Sequence, residues 1–146
     1  VNKKLRLPAR DVAIVNDWPP NIEAIRAVLP VTENNIFAHS HRIYNPGGGI
    51  LPLELLAHEK VHFVQQDEFE ADGLKGVEGW WELFLESPTF RLSQEIPAHR
   101  AEYQTYCKYH RDRNEKAQML RSLGQRLAAP MYGSLMTVNE AMKAIR

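Results

Sequence analysis

Apolar residues recur along this chain with two different periods, and the change of period marks its parts. The run "DVAIV" (11–15) has the β-rich composition of a short strand. In "DWPPNIEAIRAVLP" (17–30), Ile22, Ile25, Val28 and Leu29 fall at helical spacing behind a proline pair, which predicts a helix near 20–29. "NNIFAHSHRIYNPGGG" (34–49) has β-formers on either side of "HSH" and reads as one strand or a tight hairpin that "NPGGG" ends. Pro52 suits the first turn of the next helix, where its missing N–H has no intrahelical partner to lose. Leu53, Leu55, Leu56, Val61, Phe63 and Val64 make that helix apolar around much of its circumference. It is therefore expected to be central and buried, and to end before Gly73.

The second half reads as helices. "GLKGVEGWWELFLESP" (73–88) predicts a loop and a short aromatic helix, with one of Trp80 and Trp81 buried and the other partly exposed. Ser87 and Pro88 form an N-cap and first position for a helix through "TFRLSQEIPAHRAEYQTYCKYH", which Pro97 should kink or restart. A further helix is expected over 114–129, and Thr137 with Glu140 predicts a capping box for a last one. No internal repeat or linker interrupts the pattern. The expectation is one α+β domain, mostly helical, with a short β-sheet or hairpin before the central helix.

Composition narrows the function classes. Lys+Arg and Asp+Glu balance at 18 each, against a general grip on nucleic acid. The basic stretch 108–126, interrupted by Asp112 and Glu115, reads as a solvated helix face. No run approaches the roughly 20 apolar residues of a membrane span, and "VNKKLRLPAR" carries no apolar segment of a signal peptide. The lone Cys107 cannot form an internal disulfide or a cysteine-rich metal site. The expected setting is a reducing one such as the cytoplasm.

One segment breaks the packing logic. "LLAHEKVHFVQQDEFE" (55–70) sets His58, Glu59 and His62 inside an otherwise apolar helix. Residues four apart on a helix share a face, about 6 Å from one another, so both imidazoles can reach one ion. Glu59 lies about 100° further round. There it is poorly placed to share the ion but well placed to reach a water on it. That is the physical content of the H-E-x-x-H pattern of zinc hydrolases. A catalytic zinc needs a third protein ligand and an open position. The candidates are Glu68, Glu95 and Glu102. Glu68 would require a sharp turn after His62, where Gln65 stands and no glycine precedes Gly73. Glu95 and Glu102 would come from the second long helix.

"AHEKVHFVQQ" followed by "EIPAHRAEY" resembles the gluzincins, zinc peptidases that pair H-E-x-x-H on one helix with E-x-x-A and a polar residue on another. The likeness covers about residues 42–106 and extends to small zincin-like proteins of bacteria and their phages. It implies a small zincin-like fold with Zn²⁺ held by His58, His62 and Glu95, and Glu59 as general base and acid. Ala98 would let the helices approach. His99 stands where many gluzincins have Asp, and would orient a ligand histidine or stabilise the oxyanion. Tyr103 or Tyr106 on the same helix, and His39 or His41 on the strand before it, are further candidates to assist. The implied substrate is an extended peptide or protein, a cell-wall peptide included, added to the "IFAHSHRIY" strand. Two rival readings are a zinc-stabilised binding module without activity, and a metal-free helical interaction protein.

Overall fold

In the computed structural model, which describes residues 12–146, the chain is α+β and mostly helical, as the pattern predicts. Strand β1 (Ala13–Val15) pairs in parallel with β3 (Arg42–Tyr44), which pairs antiparallel with β2 (Phe37–His39), giving the order β1-β3-β2. Asp11, the first residue of the predicted strand, lies outside the described residues. The "HSH" segment is the tight hairpin: His39 faces Arg42, and Ser40 and His41 turn the chain at φ 51° and 63°. Positive φ at both central residues is the two-residue turn whose twist matches that of paired strands.

Helix α1 (Ile22–Arg26) is shorter than predicted, because 27–29 continue only as turns bonded back to Glu23 and Ile25. Helix α2 (Leu53–Ala71) begins after an extended Pro52 and ends before Gly73, which adopts a φ of +70°. Helix α3 (Gly76–Glu86) follows. Inside it, a Cβ on Gly79 would lie 1.8 Å from the Leu74 carbonyl oxygen, so the chain requires glycine there. Ser87 caps helix α4 (Pro88–Tyr109), its hydroxyl accepting from the Phe90 N–H at 3.1 Å. Pro97 neither ends nor restarts α4, which runs through it as one helix. Asp112 caps α5 (Arg113–Leu127) through the N–H groups of Asn114 and Glu115. A 3₁₀ turn (Pro130–Tyr132) leads to α6 (Val138–Ile145), which starts with the predicted Thr137–Glu140 capping box.

Three apolar clusters surround a polar middle. Leu92, Leu120, Leu123, Leu127, Ala141 and Ile145 join α4, α5 and α6. Ile25, Phe37, Tyr44, Trp80, Trp81 and Phe84 join α1, the sheet and α3. Ala38, Ile43 and Phe63 pack α2 onto the sheet. Both tryptophans are buried, contrary to the expected division of labour, because each indole N–H finds an internal acceptor: Gln94 for Trp80 and the Ala38 carbonyl for Trp81. Helix α2 is central, packing on α4, α3 and β2, but its burial is not the one its leucines suggest. Leu53 is half exposed, while the buried side chains are His58, Glu59, His62, Phe63, Gln65 and Gln66. No helix among the described residues is long and apolar enough to cross a membrane.

Candidate metal centre

The polar middle is the contact between α2 and α4. His58, Glu59 and His62 face Glu95, His99 and Glu102, and all six side chains are buried. Ala98, with no exposed surface, sits on α4 between the acidic residues. Glu95 bridges the two imidazoles: Oε1 lies 2.8 Å from His62 Nε2 and Oε2 lies 3.2 Å from His58 Nε2. Neighbouring ligands of a tetrahedral ion with bonds of about 2.0–2.1 Å stand roughly 3.3 Å apart, close to the 3.2 Å between Glu95 Oε2 and His58 Nε2. His58, His62 and Glu95 thus form a buried group that could hold a metal ion. Glu59 is set back, its Oε1 4.0 Å from His58 Nε2.

Each imidazole is fixed by what its other nitrogen does. His58 Nδ1–H donates to Glu102 Oε1 at 2.8 Å. His62 Nδ1–H donates to Gln65 Oε1 at 2.8 Å, and the Gln65 amide donates in turn to the Gln94 carbonyl at 2.9 Å. His99 Nδ1–H donates to the Glu95 carbonyl at 2.8 Å. With their Nδ1 atoms engaged, His58 and His62 both turn Nε2 toward Glu95, and these are the atoms that could bind an electrophile in place of a proton. Orienting a ligand histidine is one of the two roles the gluzincin likeness implied for His99. It belongs here to Glu102, one turn further along α4.

The charges make the same point. Glu59, Glu95 and Glu102 put three carboxylates in one buried space, where each unpaired charge costs several kcal/mol. Burial pushes the Glu95 carboxyl up, but His62 and His58 outweigh it and hold it well below the usual carboxylate range. Burial pushes His58 down, and Glu95, Glu102 and Glu59 outweigh that and raise it well above its ordinary value. His62 is raised in the same way, chiefly by Glu95 against its burial. For Glu59 burial prevails over the attraction of both histidines, so its carboxyl is raised. This is a space that demands positive charge, and a divalent cation at the Nε2 atoms meets the demand. A second group, His58 with His99 and Glu102, also brings potential ligand atoms together. Its 2.8 Å contact between His58 Nδ1 and Glu102 is already a hydrogen bond.

A cleft of about 510 Å³ opens onto these residues. Its walls come from α1 and the loop after it, β2, α3, and the end of α5 with the 3₁₀ turn. Tyr132, on that turn, lines the cleft and is buried. Burial first, and then the charge of Glu95, push its phenol far upward, so it stays an O–H donor. Arg91 sets this turn in place, donating to the Met131 carbonyl as well as to Phe84 and Leu85 carbonyls at the end of α3.

The other sequence candidates lie elsewhere. Glu68 is exposed, because α2 continues straight past Gln65 and carries it round to another face. Tyr103 packs against the apolar cluster of α4–α6, where burial and the Cys107 side chain raise its phenol. Tyr106 stacks on His110 with ring centroids 3.8 Å apart. His41 pairs with Asp67 at 2.8 Å and stacks on Phe63, and His39 stands edge-on to Tyr44. None of these lines the cleft. The β2 edge expected to receive an extended peptide is closed at Ala38, whose carbonyl accepts from Gln66 Nε2 at 2.9 Å and Trp81 Nε1 at 3.1 Å. Tyr132 had no signal in the sequence: it belongs to no motif and reaches the cleft only through the 3₁₀ turn after α5. Compared with models of protein families, with curated proteins and with solved structures, the chain gives no match.

Proposed function

We propose that the protein is a zinc-dependent metallopeptidase of minimal gluzincin type, hydrolysing peptide or related amide bonds. The observation that carries this reading is the bridging of two imidazoles by one carboxylate, His58 Nε2 at 3.2 Å and His62 Nε2 at 2.8 Å from Glu95 oxygens, with ligand atoms of all three residues within 4.8 Å of one another and Glu59 held just outside the triad. Two imidazoles and one carboxylate are the ligand set of catalytic zinc in peptidases. When bound, zinc supplies a Lewis acid and an acidified water. His58, His62 and Glu95 would hold it. Glu59 takes a proton from the attacking water and hands it to the departing amine. Its raised carboxyl favours the first of these transfers, the uptake of the proton. Tyr132 donates its O–H to the oxygen on which negative charge develops. His99, locked to the Glu95 carbonyl, keeps the ligand-bearing turn of α4 in register.

The experiment is elemental analysis joined to a peptide-digest assay. The native chain should carry one zinc per molecule and cleave. Glu59→Gln should keep the zinc and lose about 10²–10⁴-fold in kcat. Full zinc content with undiminished cleavage by Glu59→Gln rejects the role given to Glu59. Absence of bound metal after zinc addition rejects the reading altogether.

A further inference from the structure

The cleft is chemically lopsided about the metal-capable triad. On the His62 side its wall is apolar: the Trp80 ring lies 5.2 Å and the Phe84 ring 6.3 Å from the His62 ring, and Ile25, Leu29 and Phe37 continue the surface. On the His58 side stands a cation. Glu102, bonded to His58 Nδ1 through one oxygen, has Arg126 Nη1 3.6 Å from the other. Among the described residues Arg126 is the one arginine or lysine on the cleft wall.

Arg126 differs from the other arginines nearby. Arg91 spends its guanidinium on three backbone carbonyls, and Arg100 donates to the Ala144 carbonyl. Arg126 has one contact, longer than a hydrogen bond, and its side chain is 55% exposed. Its five N–H donors form a fork that matches a carboxylate. The closed Ala38 carbonyl adds a constraint, since a long strand-like substrate loses a pairing position on β2. Substrate recognition therefore falls to the apolar wall beside His62 and to Arg126.

We propose that the cleft takes short peptides whose free α-carboxylate docks on Arg126, one or two residues beyond the scissile bond, while a large apolar side chain fills the pocket beside His62. This rests on the metallopeptidase reading and specifies its substrate class: a carboxypeptidase-like trimming of apolar peptides. Water adds across the amide. The C–N bond breaks, a C–O bond forms, and the proton taken up by Glu59 leaves with the amine of the released residue or dipeptide.

The test uses N-acetyl-Phe-Gly and N-acetyl-Phe-Gly-Gly, each as free acid and as C-terminal amide, with N-acetyl-Gly-Gly as the apolar control. With zinc-loaded native protein the acids should exceed the amides in kcat/KM by about ten- to hundredfold, the worth of a charge-assisted hydrogen bond. N-acetyl-Gly-Gly should be at least about tenfold slower than N-acetyl-Phe-Gly. Arg126→Gln should bring the acid-to-amide ratio near one, and Arg126→Lys should restore part of it. Calorimetry on zinc-loaded Glu59→Gln, which binds peptide without turnover, should show the same preference in Kd. Equal rates for acid and amide, or a preference that survives Arg126→Gln, overturns the proposal while leaving the peptidase reading intact. Selective binding of the acids without cleavage by native protein supports the Arg126 site and counts against catalysis. Neither binding nor cleavage of any of the peptides overturns both.

Discussion

Helix α4 belongs to two interiors. Leu92, Ile96 and Tyr103 enter the apolar cluster with α5 and α6, while Glu95, His99 and Glu102 enter the polar contact with α2. The residues of the two sets interleave along the helix, and the two interiors are held together in different ways. In the apolar cluster any side chains of the right volume contribute, since dispersion and burial have no direction. In the polar contact every group needs a named partner at a stated distance, because a buried charge or donor without one is costly. The first region supplies stability that tolerates change. The second supplies geometry that does not, and the apolar cluster is what keeps its helix still.

The comparison can be pressed hardest from the apolar side. Leu123→Ala, at a fully buried position, should lower stability by about 2–5 kcal/mol in denaturant unfolding. Zinc affinity of the folded protein should stay as it was; a parallel loss of affinity merges the two regions into one. Tyr132 stands in both, a member of the apolar cluster and of the cleft wall. Tyr132→Phe keeps the ring, so stability should shift by less than about 1 kcal/mol, whereas kcat should fall about a hundredfold. A large drop in stability with normal turnover reverses that assignment.

A smaller effect is expected from the partner of His58. Glu102→Leu strands the His58 Nδ1 proton and should weaken zinc binding by about 10–100-fold. Glu102→Gln keeps an acceptor and should recover most of it, which loss of packing alone does not explain. The smallest effect lies at the capping box, far from the α2–α4 contact. Thr137→Ala should cost roughly 1 kcal/mol in thermal unfolding, with zinc binding unchanged. The hydrogen bond from the Thr137 backbone, then that with its side chain, lowers the Glu140 carboxyl below its ordinary value. A depressed carboxylate stabilises the fold above its unfolded-state pKa. That contribution should fade as pH falls through the ordinary glutamate range to the lowered native value, and Glu140→Gln, which removes the titrating group, should flatten this part of the stability–pH curve.

Local chemistry determined much of this molecule. The starts of α2, α4 and α6 follow from Pro52, Ser87–Pro88 and Thr137–Glu140, because capping acts over three or four residues. The pairing of His58 with His62 follows from helical pitch alone. The central place of α2 was legible in its apolar residues, but which of its side chains are buried was not. The helix buries its histidines, Glu59 and two glutamines, since α4 answers them with carboxylates and carbonyls. Of the kink or restart expected at Pro97, there is no restart: α4 runs on as one helix.

What the chain determined by itself was the set of helices and the face on which His58, Glu59 and His62 lie. Only the tertiary structure decided that Glu95 bridges the imidazoles, that Glu102 rather than His99 orients His58, and that Tyr132 and Arg126 flank the cleft. The reason is range. A cap or a helical pitch is settled among neighbours a few residues apart, whereas a carboxylate 33 to 44 residues from its imidazole is placed by how two helices pack, and packing depends on every side chain between them.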